Sequence, residues 1–327
     1  MTAAFCGLLL SGCASLSHDA TSSLALEDSN LPAPDLSLKI EGLGPCIDQA
    51  DRTIRLRSTE PVTVLVHGCN ASAGRFRTLA QVFAHQGQQT VCYSYDDRRS
   101  LAAVATDLHL SLQRLSEAME SSDLTLIGHS QGGLIARHAL QENGNQDQTL
   151  AHGRQRLITL SSPFSGISAA DHCASPFARV ISLGLVVPIC WAISGEKWYE
   201  ITHASDFISK PGRLQSSVEH HLLIRTDERS SCRRRENERC VEDDYVFSLD
   251  EQSLPAGAVD ERVVSEVIRV GHAAVVGTNN AIPRQLISLL QERQILRQTP
   301  LSGLPEFQRY LARLYRHQPE PASDSAP

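Results

Sequence analysis

Residues 124–137 read LTLIGHSQGGLIAR. A short apolar run of β-type residues gives way to a helix-like stretch, with Ser130 standing between Gly128 and Gly132 at the junction. A strand that turns this sharply into a helix holds the turning residue in strained backbone at the edge of a sheet. Small neighbours are then required: Gly128 lets the strand end pack closely, and Gly132 leaves room where the helix crosses it. Ser130 is predicted to stand exposed at the helix N-terminus, whose dipole favours a developing negative charge. The bare Gly-x-Ser-x-Gly spacing is weak evidence in a chain with 20 glycines. Its weight comes from the strand before it and the helix after it.

Working outward, β-rich runs alternate with longer amphipathic ones. Strands are predicted at 53–58, 62–68, 89–95, 124–128, 156–162, 221–226 and 262–270, and helices at 74–87, 100–120, 132–142 and 283–296. Strands alternating with helices of this length predict an α/β fold, a mostly parallel central sheet with helices on both faces. Two regions break the alternation. Residues 164–210 form an insertion containing VISLGLVVPICWAI at 180–193, too short and too interrupted by Pro188 to span a bilayer. It reads as a buried helix or as a lid whose apolar face covers a site. Residues 227–242 read as a solvated charged loop. The polar, proline-marked stretch 13–35 reads as a flexible tether, 36–298 as the folded domain, and 299–327 as a short helix (305–316) followed by a disordered tail.

A serine hydroxyl is a poor nucleophile without a base and a means of stabilising an oxyanion. The stretch VLVHGCN at 64–70 ends a strand and can bring a backbone N–H to the same sheet edge. The candidate donors are the N–H of Cys69 and the N–H of Gln131, which follows the serine. His67 reads as structural, and Asp96 and Asp97, after the strand at 89–95, as caps of the next helix.

The 327 residues, 41% hydrophobic, suffice for one large domain. A net charge of −7 argues against a broad nucleic-acid-binding surface. Only three of the 30 basic residues are lysines, Lys39, Lys197 and Lys210. The opening MTAAFCGLLLSGC resembles a bacterial lipoprotein signal, residues 1–12, cleaved before Cys13. That resemblance implies a lipidated Cys13 as membrane anchor and, with Ala14 and Ser15 following it, an outer-membrane location facing the periplasm. An oxidising compartment suits the remaining cysteines, Cys46, Cys69, Cys92, Cys173, Cys190, Cys232 and Cys240. Their number is odd, so at least one stays unbonded or pairs between chains. Cys232 and Cys240 bracket RRRENER and could staple it; Cys173 and Cys190, inside 164–210, bracket another inserted stretch. No Cys/His spacing reads as a zinc site.

Three segments carry a more specific likeness. LTLIGHSQGGLIAR (124–137), ITLSSPFSG (158–166) and ITHASDFI (201–208) resemble α/β-hydrolases of the bacterial lipase and esterase type, related to glycolipid-anchor deacylases. The likeness runs over about residues 61–290. It implies ester hydrolysis through an acyl-enzyme, with no cofactor, on lipid or other hydrophobic esters. In that fold the chain order is nucleophile, acid, histidine. The implied base is His272, in RVGHAAVVG after the last strand; His129, His203, His220 and His221 read as structural or solvated. The acid is expected after the strand at 221–226. EDDYVFS (242–248) resembles the family's Asp-x-x-Val pattern and puts it at Asp243, with Asp244 as the neighbouring alternative and Asp227 nearest the strand. An acyltransferase with the same triad and a non-catalytic envelope scaffold are the other readings.

Overall fold

A computed structural model describes residues 30–121, 123–142, 153–168, 195–277 and 281–316. The expected signal peptide, Cys13, most of the tether, the apolar run 180–193, Cys173, Cys190 and the C-terminal tail lie outside the described residues. The strands are β1 (Leu36–Leu38), β2 (Leu43–Gly44), β3 (Ile54–Leu56), β4 (Val62–Val66), β5 (Gln89–Tyr93), β6 (Leu124–His129), β7 (Gln155–Leu160), β8 (Val218–Thr226), β9 (Cys232–Glu236), β10 (Arg239–Asp243) and β11 (Val263–Ile268). The helices are α1 (Arg77–His85), α2 (Leu101–Ala118), α3 (Gln131–Ala139), α4 (Asp206–Ser209), α5 (Arg284–Glu292) and α6 (Leu304–Arg316).

Seven strands form the central sheet in the order β11-β8-β7-β6-β4-β5-β2, and only β2 runs antiparallel to its neighbour. The strands are apolar on both faces because successive side chains supply two separate cores. In β4, Val62, Val64 and Val66 join one core, packed with α2 and α3, while Leu65 joins the other, with α1, α5 and α6. In β8, Leu223 faces the first core and Leu222 and Ile224 the second. The expected mostly parallel sheet, covered on both faces, is what the chain builds. Helix α6 is part of this architecture: Phe307, Tyr310, Leu311 and Tyr315 are buried in the second core, and the Tyr310 hydroxyl donates to the Gln81 carbonyl.

From β4 the chain goes to β5 on one side and then returns to β6 on the other. This reversal leaves a crevice at the carboxyl ends of β4 and β6, the place where open parallel sheets bind ligands. The loop 67–72 and Ser130 both leave the sheet there.

Two expectations are corrected. Residues 227–242 are not a plain loop: β9 and β10 pair as an antiparallel hairpin stapled by Cys232–Cys240. Helix α2 is capped by Ser100, whose hydroxyl accepts the Ala103 N–H, and not by Asp96 or Asp97. Among the other cysteines, Cys46 is bonded to Cys92 and Cys69 keeps its thiol.

Candidate active site

Ser130 has φ 56° and ψ −127°, a conformation that a side-chain-bearing residue keeps only when its surroundings impose it. Its N–H donates to the Leu160 carbonyl at 2.8 Å, and its carbonyl accepts from Gly133 at 3.0 Å. The flanking glycines act as the sequence suggests. A Cβ on Gly132 would stand 2.3 Å from the Val66 and His67 carbonyl oxygens, and one on Gly128 would stand 2.4 Å from the Gly132 oxygen. Strand β4 ends against the same residue, since a Cβ on Gly68 would lie 2.9 Å from the Ser130 Cβ and 3.4 Å from its Oγ. Cys69 therefore follows directly on the residue that abuts the serine. Gln131 is the first residue of α3, so its N–H has no acceptor within the helix.

His67 is structural. Its ring stacks on Tyr95 at 4.3 Å, Nδ1 donates to the Gly68 carbonyl at 2.9 Å, and burial lowers its pKa to about 4, keeping it neutral. The Tyr95 hydroxyl donates to the His67 carbonyl at 2.7 Å, which fixes the end of β4. Asp97 accepts the Asn70 N–H at 2.5 Å and so holds this loop instead of a helix end.

His129, the chain neighbour of Ser130, and Ser161, on the segment beside it, both touch His272. His129 packs its ring 4.8 Å from the His272 ring and donates from Nε2 to the His272 carbonyl at 2.9 Å. Burial, then the neighbouring His272, keeps His129 neutral, its pKa well below the usual histidine value. Ser161, one residue past the Leu160 carbonyl that binds the Ser130 N–H, lies with its hydroxyl 2.8 Å from His272 Nδ1. His129 thus faces His272 and supports it. His220 and His221 lie in β8, and buried His221 pairs with the Thr159 hydroxyl.

The carboxylate beside His272 is Glu228, and the expectation of Asp243 is corrected. Glu228 Oε1 is 3.1 Å from His272 Nδ1 and accepts the Ser161 and Thr226 hydroxyls at 2.7 Å each. Its Oε2 accepts the N–H groups of Val246 at 2.6 Å and Phe247 at 2.9 Å. Burial pushes this carboxyl up. The hydrogen bond and charge of His272, with the Phe247 N–H and Ser161, outweigh burial and leave it below the usual glutamate value. With Nδ1 facing Glu228, Nε2 is on the opposite side of the imidazole. Asp243 is exposed at the end of β10, opposite Cys232. Asp244 is buried but meets the main chain beyond the ring: it accepts the N–H groups of Ala273 and Ala274 at 2.9–3.1 Å and pairs with Arg233 at 3.1 Å. Its own carbonyl accepts the His272 N–H at 2.9 Å. Asp227 is half-buried and pairs with the exposed Arg229 at 2.7 Å, away from His272.

A signal for Glu228 exists in the sequence. Leu222, Ile224 and Thr226 are buried at alternate positions, and Glu228 continues that parity past the strand end, while Asp227 falls on the other side. Sequence reading also missed Ser161, which borders both His272 and Glu228. It missed Lys197, whose ammonium is buried beside Gln131. Among the described residues, no group of three or more His, Cys, Asp or Glu side chains is placed to hold a metal ion.

A solved structure, the propeptide form of the lipase BlEst2 from Bacillus licheniformis, is similar to this chain. The match has a TM-score of 0.50 and 15% identity over 82% of this chain and 55% of that one. The chain has the α/β-hydrolase fold. The mature form of the same lipase matches at TM-score 0.47 and 13% identity, covering 80% of this chain and 99% of that one. The Pyrococcus furiosus esterase Pf2001 matches at TM-score 0.47 and 12% identity, over 83% and 94% of the two chains. Residues 61–211 match the family described as palmitoyl protein thioesterase. No curated protein matches the chain in sequence.

Proposed function

We propose that the protein is a serine hydrolase that cleaves carboxylic esters or thioesters of hydrophobic acyl groups through an acyl-enzyme. The observation that carries this reading is the strained backbone of Ser130 at the β6–α3 turn, with both its chain neighbour His129 and its sheet neighbour Ser161 in contact with the His272–Glu228 pair. His272 Nε2 takes the hydroxyl proton as Ser130 Oγ attacks the acyl carbon. The Cys69 and Gln131 amides hold the resulting oxyanion, each worth about 3 kcal/mol to the transition state. Collapse breaks the bond to the alcohol or thiol, which leaves with the proton from His272. Water then attacks the acyl-enzyme, gives its proton to His272, and releases the acid and the serine hydroxyl. Glu228 fixes the imidazole tautomer and stabilises its charged form.

The acyl preference rests on the palmitoyl thioesterase match and on the apolar run 180–193 in the insertion. The signal-like N-terminus supports a mature protein anchored through Cys13 in the bacterial envelope, on the outer membrane facing the periplasm, where membrane lipids or acylated proteins are within reach. Turnover of p-nitrophenyl esters and acyl thioesters, with fluorophosphonate labelling mapped by peptide, tests the reading. Ser130→Ala is expected to abolish both hydrolysis and labelling; equal labelling of wild type and variant would overturn it.

A further inference from the structure

Lys197 lies on a short turn, Gly195–Trp198, at the downstream end of the 164–210 insertion. The turn is moored to the loop between β5 and α2: the Glu196 N–H donates to the Arg98 carbonyl at 2.7 Å, and Glu200 accepts the Leu101 N–H at 2.5 Å and the Ser100 hydroxyl at 2.8 Å. Lys197 itself is only 3% exposed. Its ammonium donates to Gln131 Oε1 at 2.8 Å, lies 3.4 Å from Cys69 Sγ, and pairs with Asp97 Oδ2 at 3.6 Å. The same Asp97 oxygen accepts the Asn70 N–H. One buried cation therefore touches the side chains of both residues whose main-chain amides are the proposed oxyanion donors, and the carboxylate that fixes the loop of one of them.

Burying an ammonium and a carboxylate together gives little or no net stability over an apolar filling. A buried ion pair at this spot is better explained by what it does to the neighbouring amides. We infer that Lys197 is a positioning residue of the oxyanion site: it clamps the Cys69 loop to the start of α3 and adds positive potential behind the two donors. The inference rests on the proposed serine-hydrolase mechanism.

The test uses the full mature protein with p-nitrophenyl butyrate as substrate and an alkyl boronic acid as a probe that forms a tetrahedral anionic adduct. Lys197→Met is expected to lower kcat on the order of 100-fold while KM changes by less than about threefold, with the boronate inhibition constant rising in step with the loss in kcat. Lys197→Arg, which keeps the charge, is expected to recover at least about tenfold of that loss. The double variant Lys197→Met/Asp97→Asn removes the ion pair as a unit, so it is expected to regain the melting temperature but not kcat. An unchanged kcat in Lys197→Met, a loss confined to KM, or a double variant that regains kcat together with its melting temperature would overturn the inference. A wild-type protein that neither hydrolyses the ester nor labels with fluorophosphonate would sink the mechanism itself and this inference with it.

Discussion

Glu228 is the residue on which the site's electrostatics turn. Its two oxygens are occupied by two hydroxyls, two main-chain N–H groups and an imidazole, so it is buried as a fully hydrogen-bonded carboxylate. An amide in its place would bring N–H donors toward hydroxyls and main-chain donors that need an acceptor. Glu228→Gln is therefore expected to lower kcat on the order of 10³-fold by misorienting the His272 tautomer. Asp243→Asn is expected to leave kcat within about twofold, because surface substitutions away from such networks have small effects. Steady-state kinetics on the two variants decides between the carboxylates. The contrast also explains what could be read in advance. The setting of Ser130 was legible because the residues that shape it, Gly128 to Gly132, are contiguous. The carboxylate was not, because a pattern likeness at 242–248 competed with a strand parity running only a few residues past Thr226.

At the level of elements, the β9–β10 hairpin links a surface staple to the histidine loop. Its turn residues Asn237 and Glu238 both have positive φ (47° and 67°), the conformation of a two-residue hairpin turn. The sequence hid it because both strands are mostly charged and lie off the core, so no apolar alternation marked them. Arg233 leads inward to Asp244, and Asp244 holds the two N–H groups after His272. Cys232–Cys240 closes a short loop, worth about 2.5 kcal/mol by chain entropy, against about 4 kcal/mol for the longer Cys46–Cys92 loop. A crossover is expected: paired Cys→Ala changes at Cys46 and Cys92 cost more stability in urea, whereas the same changes at Cys232 and Cys240 cost more ester turnover. If the hairpin pair proves the less damaging to turnover, the linkage through Arg233 is wrong.

Across the whole molecule, buried neutral histidines set the acid limit of the fold. Burial lowers the pKa of His67 to about 4 and that of His221 to about 3, while in the unfolded chain both titrate near the ordinary histidine value. Between those values the unfolded chain binds protons that the native rings refuse, so stability rises with pH across that window and falls as the solution is acidified. From pH 7 to pH 5 the loss is expected to be about 2 kcal/mol per ring. Urea midpoints at the two pH values measure it. His221→Gln is expected to shrink the difference, and an unchanged difference would assign the acid sensitivity elsewhere.

The doubly covered parallel sheet was legible from alternation alone, since β4 to β8 are long enough to show it, and β3 was legible within 53–58; β1 and β2 are too short to carry a period. The order of the strands has one more consequence. The proposed nucleophile and oxyanion loop spring from the middle of the sheet, but the imidazole follows β11, which among the described residues has a partner on one side only. On the proposed mechanism, peeling away that outermost ribbon would disarm the protein before its interior unfolds, which would set its working lifetime at the margin and not at the centre.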